Sequence, residues 1–272
     1  MFDTTIRGTV VVALGVLLTL LLAPSQGTAQ IRYMRGQNVA PVFEGWHQNE
    51  DGTFSLFFGY MNRNHEELID LPVGPQNFFA PGPVDRGQPT HFNPRRHRFV
   101  FTAIVPETWG PDERLTWTLT VNGRTDTVQG WLQPEWEADD GVIQMNLGPG
   151  GTPPANERPE VTGSLAVRTA LGDSIRVHAR ATDDGIPRPS SRSSSSSSES
   201  GKPPPGLRLR WIHYRGPGAV TFGSPTAVGE HGKPVEAWTD VQFDAPGDYV
   251  LRAIAFDRLF EGWHDVAVTV TQ

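Results

Sequence analysis

The amino-acid sequence predicts an all-β protein, and three observations carry the prediction. Its 272 residues include 29 glycines and 24 prolines, spread as punctuation between short apolar runs. Those runs alternate apolar and polar residues with a period of two, as half-buried strands do. Past the first thirty residues no stretch keeps the 3.6-residue period of an amphipathic helix.

The amino end reads differently. Arg7 precedes an apolar run from Val10 to Ala23, followed by Pro24 and the small-residue triplet Gly27-Thr28-Ala29. This is the pattern of a signal peptide over residues 1–29, cut after Ala29. As a helix the run spans roughly 21 Å, short of the ~30 Å hydrocarbon core of a bilayer. The chain is therefore expected to be exported, to the periplasm, the cell surface or the medium, with no membrane span in the mature protein. It has no cysteine, so no disulfide stabilises it and the cores must suffice, or a bound ion must help. The formal charge of −7 offers no basic excess for a nucleic-acid partner. The one basic cluster, His91 to Arg98, reads as a solvated strand edge.

The first domain is expected over residues 30–138. Phe54, Leu56, Phe58 and Tyr60 share one face of a strand, and Phe99, Phe101, Ala103 and Val105 share one face of another. The clearest strand is Arg114 to Val121, with Leu115, Trp117, Leu119 and Val121 inward and three threonines outward. Asn122-Gly123 then turns the chain back through a type I′ hairpin. Leu71 to Pro94, rich in proline and glycine, predicts a long irregular excursion of the kind that often carries function.

Residues 139–159 lack periodicity and predict an interdomain linker. The second domain is expected over 160–272. Seven alternating stretches follow one another there: Leu165 to Thr169, Ser174 to Ala181, Leu207 to Tyr214, Ala219 to Phe222, Trp238 to Phe243, Tyr249 to Ala255 and Val266 to Val270. That number suits an immunoglobulin-like sandwich. The segment 187–205 includes the unbroken serines Ser193 to Ser198; with nothing apolar to bury it predicts a disordered loop within that domain. The fold class is then two β-sandwich-like domains behind a signal peptide.

Three passages of the second domain carry a family resemblance: ATDDGIP (181–187), RWIHYRGPGAVTFGSP (210–225) and VQFDAPGDYVLRAIAFD (241–257). Together they resemble a polycystic-kidney-disease (PKD) type immunoglobulin-like domain. The departures are the serine insert and Asp257-Arg258-Leu259-Phe260, where the family often has Asp-Gly. Trp211 falls where such sandwiches keep a core tryptophan, and Tyr249, after Pro246-Gly247, suits a tyrosine corner. The resemblance implies a non-catalytic module for adhesion, spacing or polymer binding.

Three groups of candidate site residues follow. Asp183 and Asp184 close the second strand of the sandwich and Asp257 the sixth, at one end of the fold, where carboxylates and turn carbonyls could hold calcium. The alternative is that they only initiate turns. Asn62, Arg63 and Asn64 follow a strand end beside the excursion and could contact a ligand, or tie the loop down. Trp109 and Trp136 lie outside the strands, free to stack on a sugar or a partner, or to pack under their own loops. No residue pattern marks a catalytic nucleophile or a metal motif such as H-E-x-x-H, and beyond calcium no cofactor is expected. The sequence thus favours an exported, non-catalytic binding or structural protein of the cell envelope or extracellular space. Its partner would be a cell-surface protein or a polysaccharide. The alternative is a secreted or periplasmic hydrolase with its active site in the first domain.

Overall fold

The apolar alternations fold as strands throughout. A computed structural model describes residues 33–147, 155–188 and 205–272. The expected signal peptide and residues 189–204 of the serine-rich loop lie outside these residues. Within the N-terminal half, β1 (Val39–Gln48), β2 (Phe54–Asn62) and β6 (Arg95–Val105) form an antiparallel sheet in the order β1-β2-β6. A second sheet orders β4 (Asn77–Ala80), β7 (Leu115–Val121) and β8 (Arg124–Gly130) as β4-β7-β8. The short β3 (Ile69–Asp70) and β5 (His91–Phe92) pair with each other.

In β7 the four apolar side chains are buried and the threonines only partly so. Asn122 and Gly123 take φ of 50° and 74°, the two positive angles a type I′ turn requires. Trp117 has no exposed surface and meets the rings of Phe58, Phe79, Phe92 and Phe101, so one indole joins strands of all three sheets. Phe99 departs from the expected pattern. The β2–β6 register shifts between Phe58 and Tyr60, and Phe99 takes a φ of 49°. The residues inside such a bulge fall out of the alternation, which resumes with Phe101, Ala103 and Val105 buried. Phe99 leaves the core and packs edge-on against Phe57 at 5.9 Å.

The excursion at 71–94 is less irregular than expected, because it contains β4 and β5. Asn77 holds it. Its fully buried amide donates to the carbonyls of Leu71 and Pro89, each at 2.9 Å, and accepts from Trp117 Nε1 at 3.0 Å. The stretch 139–159, expected to be a linker, also carries structure: helix α1 (Asp140–Leu147). Ile143 of α1 is buried with Ala138 and Phe260. One buried isoleucine in two turns is too little for a periodicity to register in the sequence.

The C-terminal half has nine strands among the described residues: β9 (Glu160–Gly163), β10 (Val167–Ala170), β11 (Ile175–Thr182), β12 (Pro205–Arg215), β13 (Val220–Phe222), β14 (Thr226–Glu230), β15 (Val235–Phe243), β16 (Gly247–Phe256) and β17 (Glu261–Thr271). They form two sheets, β10-β17-β16-β12-β14 and β13-β15-β11-β9. Only the β10–β17 pairing in these two sheets is parallel. The sheets close over Val177, Leu209, Trp211, Val241, Tyr249, Leu251 and Val266. The two strands beyond the expected seven, β9 and β14, lie at sheet edges and bury no residue fully, so they carry little apolar signal. Tyr249 Oη donates to the Ala245 carbonyl at 2.8 Å, the bond the tyrosine-corner reading called for.

The two halves share a contact surface. Tyr214, at the end of β12, belongs to the N-terminal core, and its hydroxyl donates to the Gly87 carbonyl at 2.5 Å. Arg215 donates to the Gln88 carbonyl at 2.7 Å and pairs with Asp85, also at 2.7 Å. The excursion is thereby docked along the edge of the C-terminal sandwich.

Candidate functional site

Between the halves lies a cleft of about 420 Å³. Its N-terminal wall includes Arg96, Arg98 and Phe99, and its C-terminal wall Arg210, Arg252, Phe256 and Trp263. Two adjoining depressions, of about 510 and 330 Å³, also reach Trp263. This side chain keeps 39% of its surface exposed. It projects from β17 opposite Ile254, on the face turned away from the sandwich core. Strand alternation alone therefore delivers Trp263 and Arg252 to one side of the sheet.

The arginines are held to different degrees. Arg252 is buried and fully engaged. It forms a two-pronged pair with Asp265 at 2.7 and 2.8 Å, donates to the Val100 carbonyl at 2.7 Å, and lies 3.6 Å over the Tyr214 ring. It therefore builds the wall instead of offering donors. Arg96 pairs with Glu44 at 2.6 Å, and burial pushes the Glu44 carboxyl up against the pull of Arg96. Arg210 pairs with Glu261 at 3.3 Å; burial raises this carboxyl too, again opposed by its arginine. Arg98 is exposed, with no carboxylate partner among the described residues; its guanidinium donates to the Asn146 carbonyl of α1. The cleft thus presents an exposed indole, the exposed Arg98, and Arg96 and Arg210, each paired with a carboxylate. Such a surface can stack on a flat apolar face and hydrogen-bond to hydroxyls or carboxylates.

The sequence-predicted ligand contacts fall elsewhere. Asn62 and Asn64 are fully buried. Asn62 donates to the carbonyls of Glu67 and Phe92 and accepts from the backbone and side-chain nitrogens of Asn64. Asn64 spends its remaining capacity on the backbone of Gln37. Their amides tie loops together and have nothing left for a ligand, so of the two readings the loop-tying one fits Asn62 and Asn64: their polarity is used within the fold. Arg63 reaches Asn38 at 3.5 Å. Trp109 is half-buried against the N-terminal core. Trp136 is 45% exposed, stacked on Phe43 at 5.6 Å. Neither tryptophan lines the cleft. Trp263 and Arg98 were missed as site residues because they sit within strands whose alternation reads as ordinary sheet.

The three aspartates do come to one end of the sandwich. Asp183 and Asp257 line the same small cavity. Burial pushes the Asp183 carboxyl up to about 6, helped by the charges of Asp257 and Asp184. Asp257 Oδ1 accepts from the amides of Leu259 and Phe260, and Asp184 from those of Glu157 and Ile186. Those from Leu259, Phe260 and Ile186 are turn-capping bonds; the one from Glu157 ties the segment before β9 to the turn after β11. Asp183 Oδ1 and Asn156 Oδ1 are buried without a donor.

The fold and the cleft define an all-β protein with an immunoglobulin-like sandwich. No protein-family model matches the chain, and no curated protein is significantly similar to it. Among solved structures it is similar to a PapD-like domain of human CEP192, at 7% identity and a TM-score of 0.30, over 45% of this chain and 91% of that one. The D00-D0 domain of intimin aligns at 11% identity and a TM-score of 0.27, covering 86% of this chain and all of that one. Domains 4 and 5 of the S-layer protein SbsC align at 12% and 0.26, over 87% and 98%. Among the described residues no helix is long and apolar enough to cross a membrane.

Proposed function

We propose that this chain is an exported, non-catalytic binding protein of the cell envelope or extracellular space, and that it holds an acidic polysaccharide in the cleft between its halves. The carrying observation is the juxtaposition of exposed Trp263 with Arg98 and two arginine–carboxylate pairs in one groove. An indole face takes the apolar face of a sugar ring, and an exposed guanidinium without a salt-bridge partner takes a uronate carboxylate. Export rests on the amino-terminal pattern of residues 1–29. The PKD-type resemblance over 160–272, with the Tyr249–Ala245 corner, supports an adhesion or polymer-binding role over a catalytic one.

Affinity electrophoresis tests the reading. The folded protein is expected to be retarded in a gel containing a uronate-rich polysaccharide, and much less in a neutral glucan. The double variant Trp263→Ala, Arg98→Ala should migrate freely in both, since losing one stacked ring and one charge-assisted bond costs roughly tenfold or more in affinity. Unretarded wild-type protein in the uronate gel would sink the proposal and leave a protein partner as the alternative occupant.

Calcium belongs to the same proposal as a structural ion at Asp183, Asp184 and Asp257. The unpartnered Oδ1 atoms of Asp183 and Asn156 are acceptors that a hard cation could satisfy. Millimolar calcium is expected to raise the melting temperature by a few degrees, and Asp183→Asn to abolish the rise. A calorimetric trace indifferent to calcium removes the ion.

A further inference from the structure

A second polar cluster lies where the halves meet, built from three strands that are distant in sequence. Asp70 of β3 and His91 of β5 are cross-strand partners, and Asp70 Oδ1 stands 2.6 Å from His91 Nδ1. His213 of β12 stacks on His91 with ring centroids 4.4 Å apart. His91 and His213 are 7% and 5% exposed, and neither ring nitrogen of His213 has a hydrogen-bond partner. A buried imidazole with two idle nitrogens is costly, because each gave up a bond to water on folding. The turn closes tightly over this imidazole: a Cβ at Gly216 would clash with the Tyr249 ring and stand 2.8 Å from His213 Nε2. Each of the three residues offers a ligand atom, and these atoms all lie within 4.8 Å of one another.

We propose that Asp70, His91 and His213 form a binding site for a divalent transition metal of the zinc class, which clamps the N-terminal sheet pair β3-β5 to β12 of the C-terminal sandwich. Two imidazoles and a carboxylate suit zinc, and the imidazoles disfavour calcium or magnesium. Tetrahedral zinc with bonds near 2.0–2.1 Å keeps its ligand atoms roughly 3.4 Å apart; atoms as much as 4.8 Å apart must close, and Asp70 Oδ1 and His91 Nδ1, now at 2.6 Å, must part, both movements within reach of small side-chain rotations. Three protein ligands leave the fourth position to water. The site adjoins the cleft but is distinct from the polysaccharide contacts: of its three residues only His91 lines the cleft.

Zinc chloride titrated into the metal-stripped protein, followed by calorimetry and by melting, tests the proposal. One equivalent should bind, and a hundredfold excess over Kd should raise the melting temperature by about 5–10 °C. Cobalt(II) should give the intense visible bands of a tetrahedral ion. Asp70→Ala, at an exposed position, should weaken zinc binding at least tenfold, while the metal-free variant still unfolds cooperatively at a somewhat lower temperature because His91 Nδ1 loses its partner. His213→Leu should abolish binding; where that variant does not fold, Asp70→Ala decides alone. Trp263→Ala should bind zinc as the wild type does, so failure in the polysaccharide gel leaves this result standing. A melting temperature unmoved by zinc, or equal binding by wild type and Asp70→Ala, overturns the site.

Discussion

Replacing Asn77 by leucine is expected to destabilise the protein by about 4 kcal/mol, from the ~1–3 kcal/mol that each buried unpaired polar group costs. Three groups lose their partner at once: the carbonyls of Leu71 and Pro89 and the indole N–H of Trp117. All three bonds are buried, where water cannot easily replace the amide. Trp117→Phe is the graded control. It removes one donor and part of one ring, and about 2 kcal/mol is expected from an orphaned acceptor plus lost packing. Urea denaturation should show a lowered midpoint with an unchanged slope. The leucine variant should also loosen the excursion, and with it the contacts of Gly87 and Gln88 to Tyr214 and Arg215. A shift below about 1 kcal/mol would mean that these bonds exchange freely with solvent, and that Asn77 does not anchor the loop.

Arg252→Met comes next, with an expected loss of about 3 kcal/mol. Breaking one side of a buried ion pair typically costs ~3–5 kcal/mol, and Asp265 is still 39% exposed, which favours the lower end. The substitution keeps the aliphatic length but strands Asp265, leaves the Val100 carbonyl without its donor and removes the cation over Tyr214. Arg252→Lys is not expected to restore stability, since an ammonium cannot make the planar two-pronged pair and reach Val100 as well. Pairing Arg252→Met with Asp265→Ala should give a combined effect well below the sum of the two. The Val100 bond crosses between the halves, so the methionine variant should also alter the environment of Trp263, read as a shift in its fluorescence. Strict additivity in the double variant would show that the pair is not coupled.

Several features were legible in the sequence because they are local. The β7 pattern, the Asn122-Gly123 turn and the inward faces of β11, β12 and β16 follow from alternation and turn chemistry. The Asp183 and Asp257 turns were placed at one end by strand order, and they share a cavity there. Phe99 was misplaced because a bulge breaks the alternation that the reading assumed. Asn62 and Asn64 looked like site residues because polar clusters after strands look alike, whether they face a ligand or a neighbouring loop. Nothing in the sequence linked Asp70, His91 and His213. The last is more than a hundred residues from the others, and no spacing rule applies across such a distance.

The core strands, the Asn122-Gly123 turn and the inward faces of β7, β11 and β16 were settled by the chain itself, since each depends on neighbours within a few residues. Tertiary packing alone decided that Tyr214 joins the N-terminal core, that Arg252 and Trp263 wall a cleft, and that an aspartate and two histidines from three strands converge. Those outcomes depend on which surfaces are left over once each sheet has buried its apolar face, and the leftover surfaces meet only when both halves are folded.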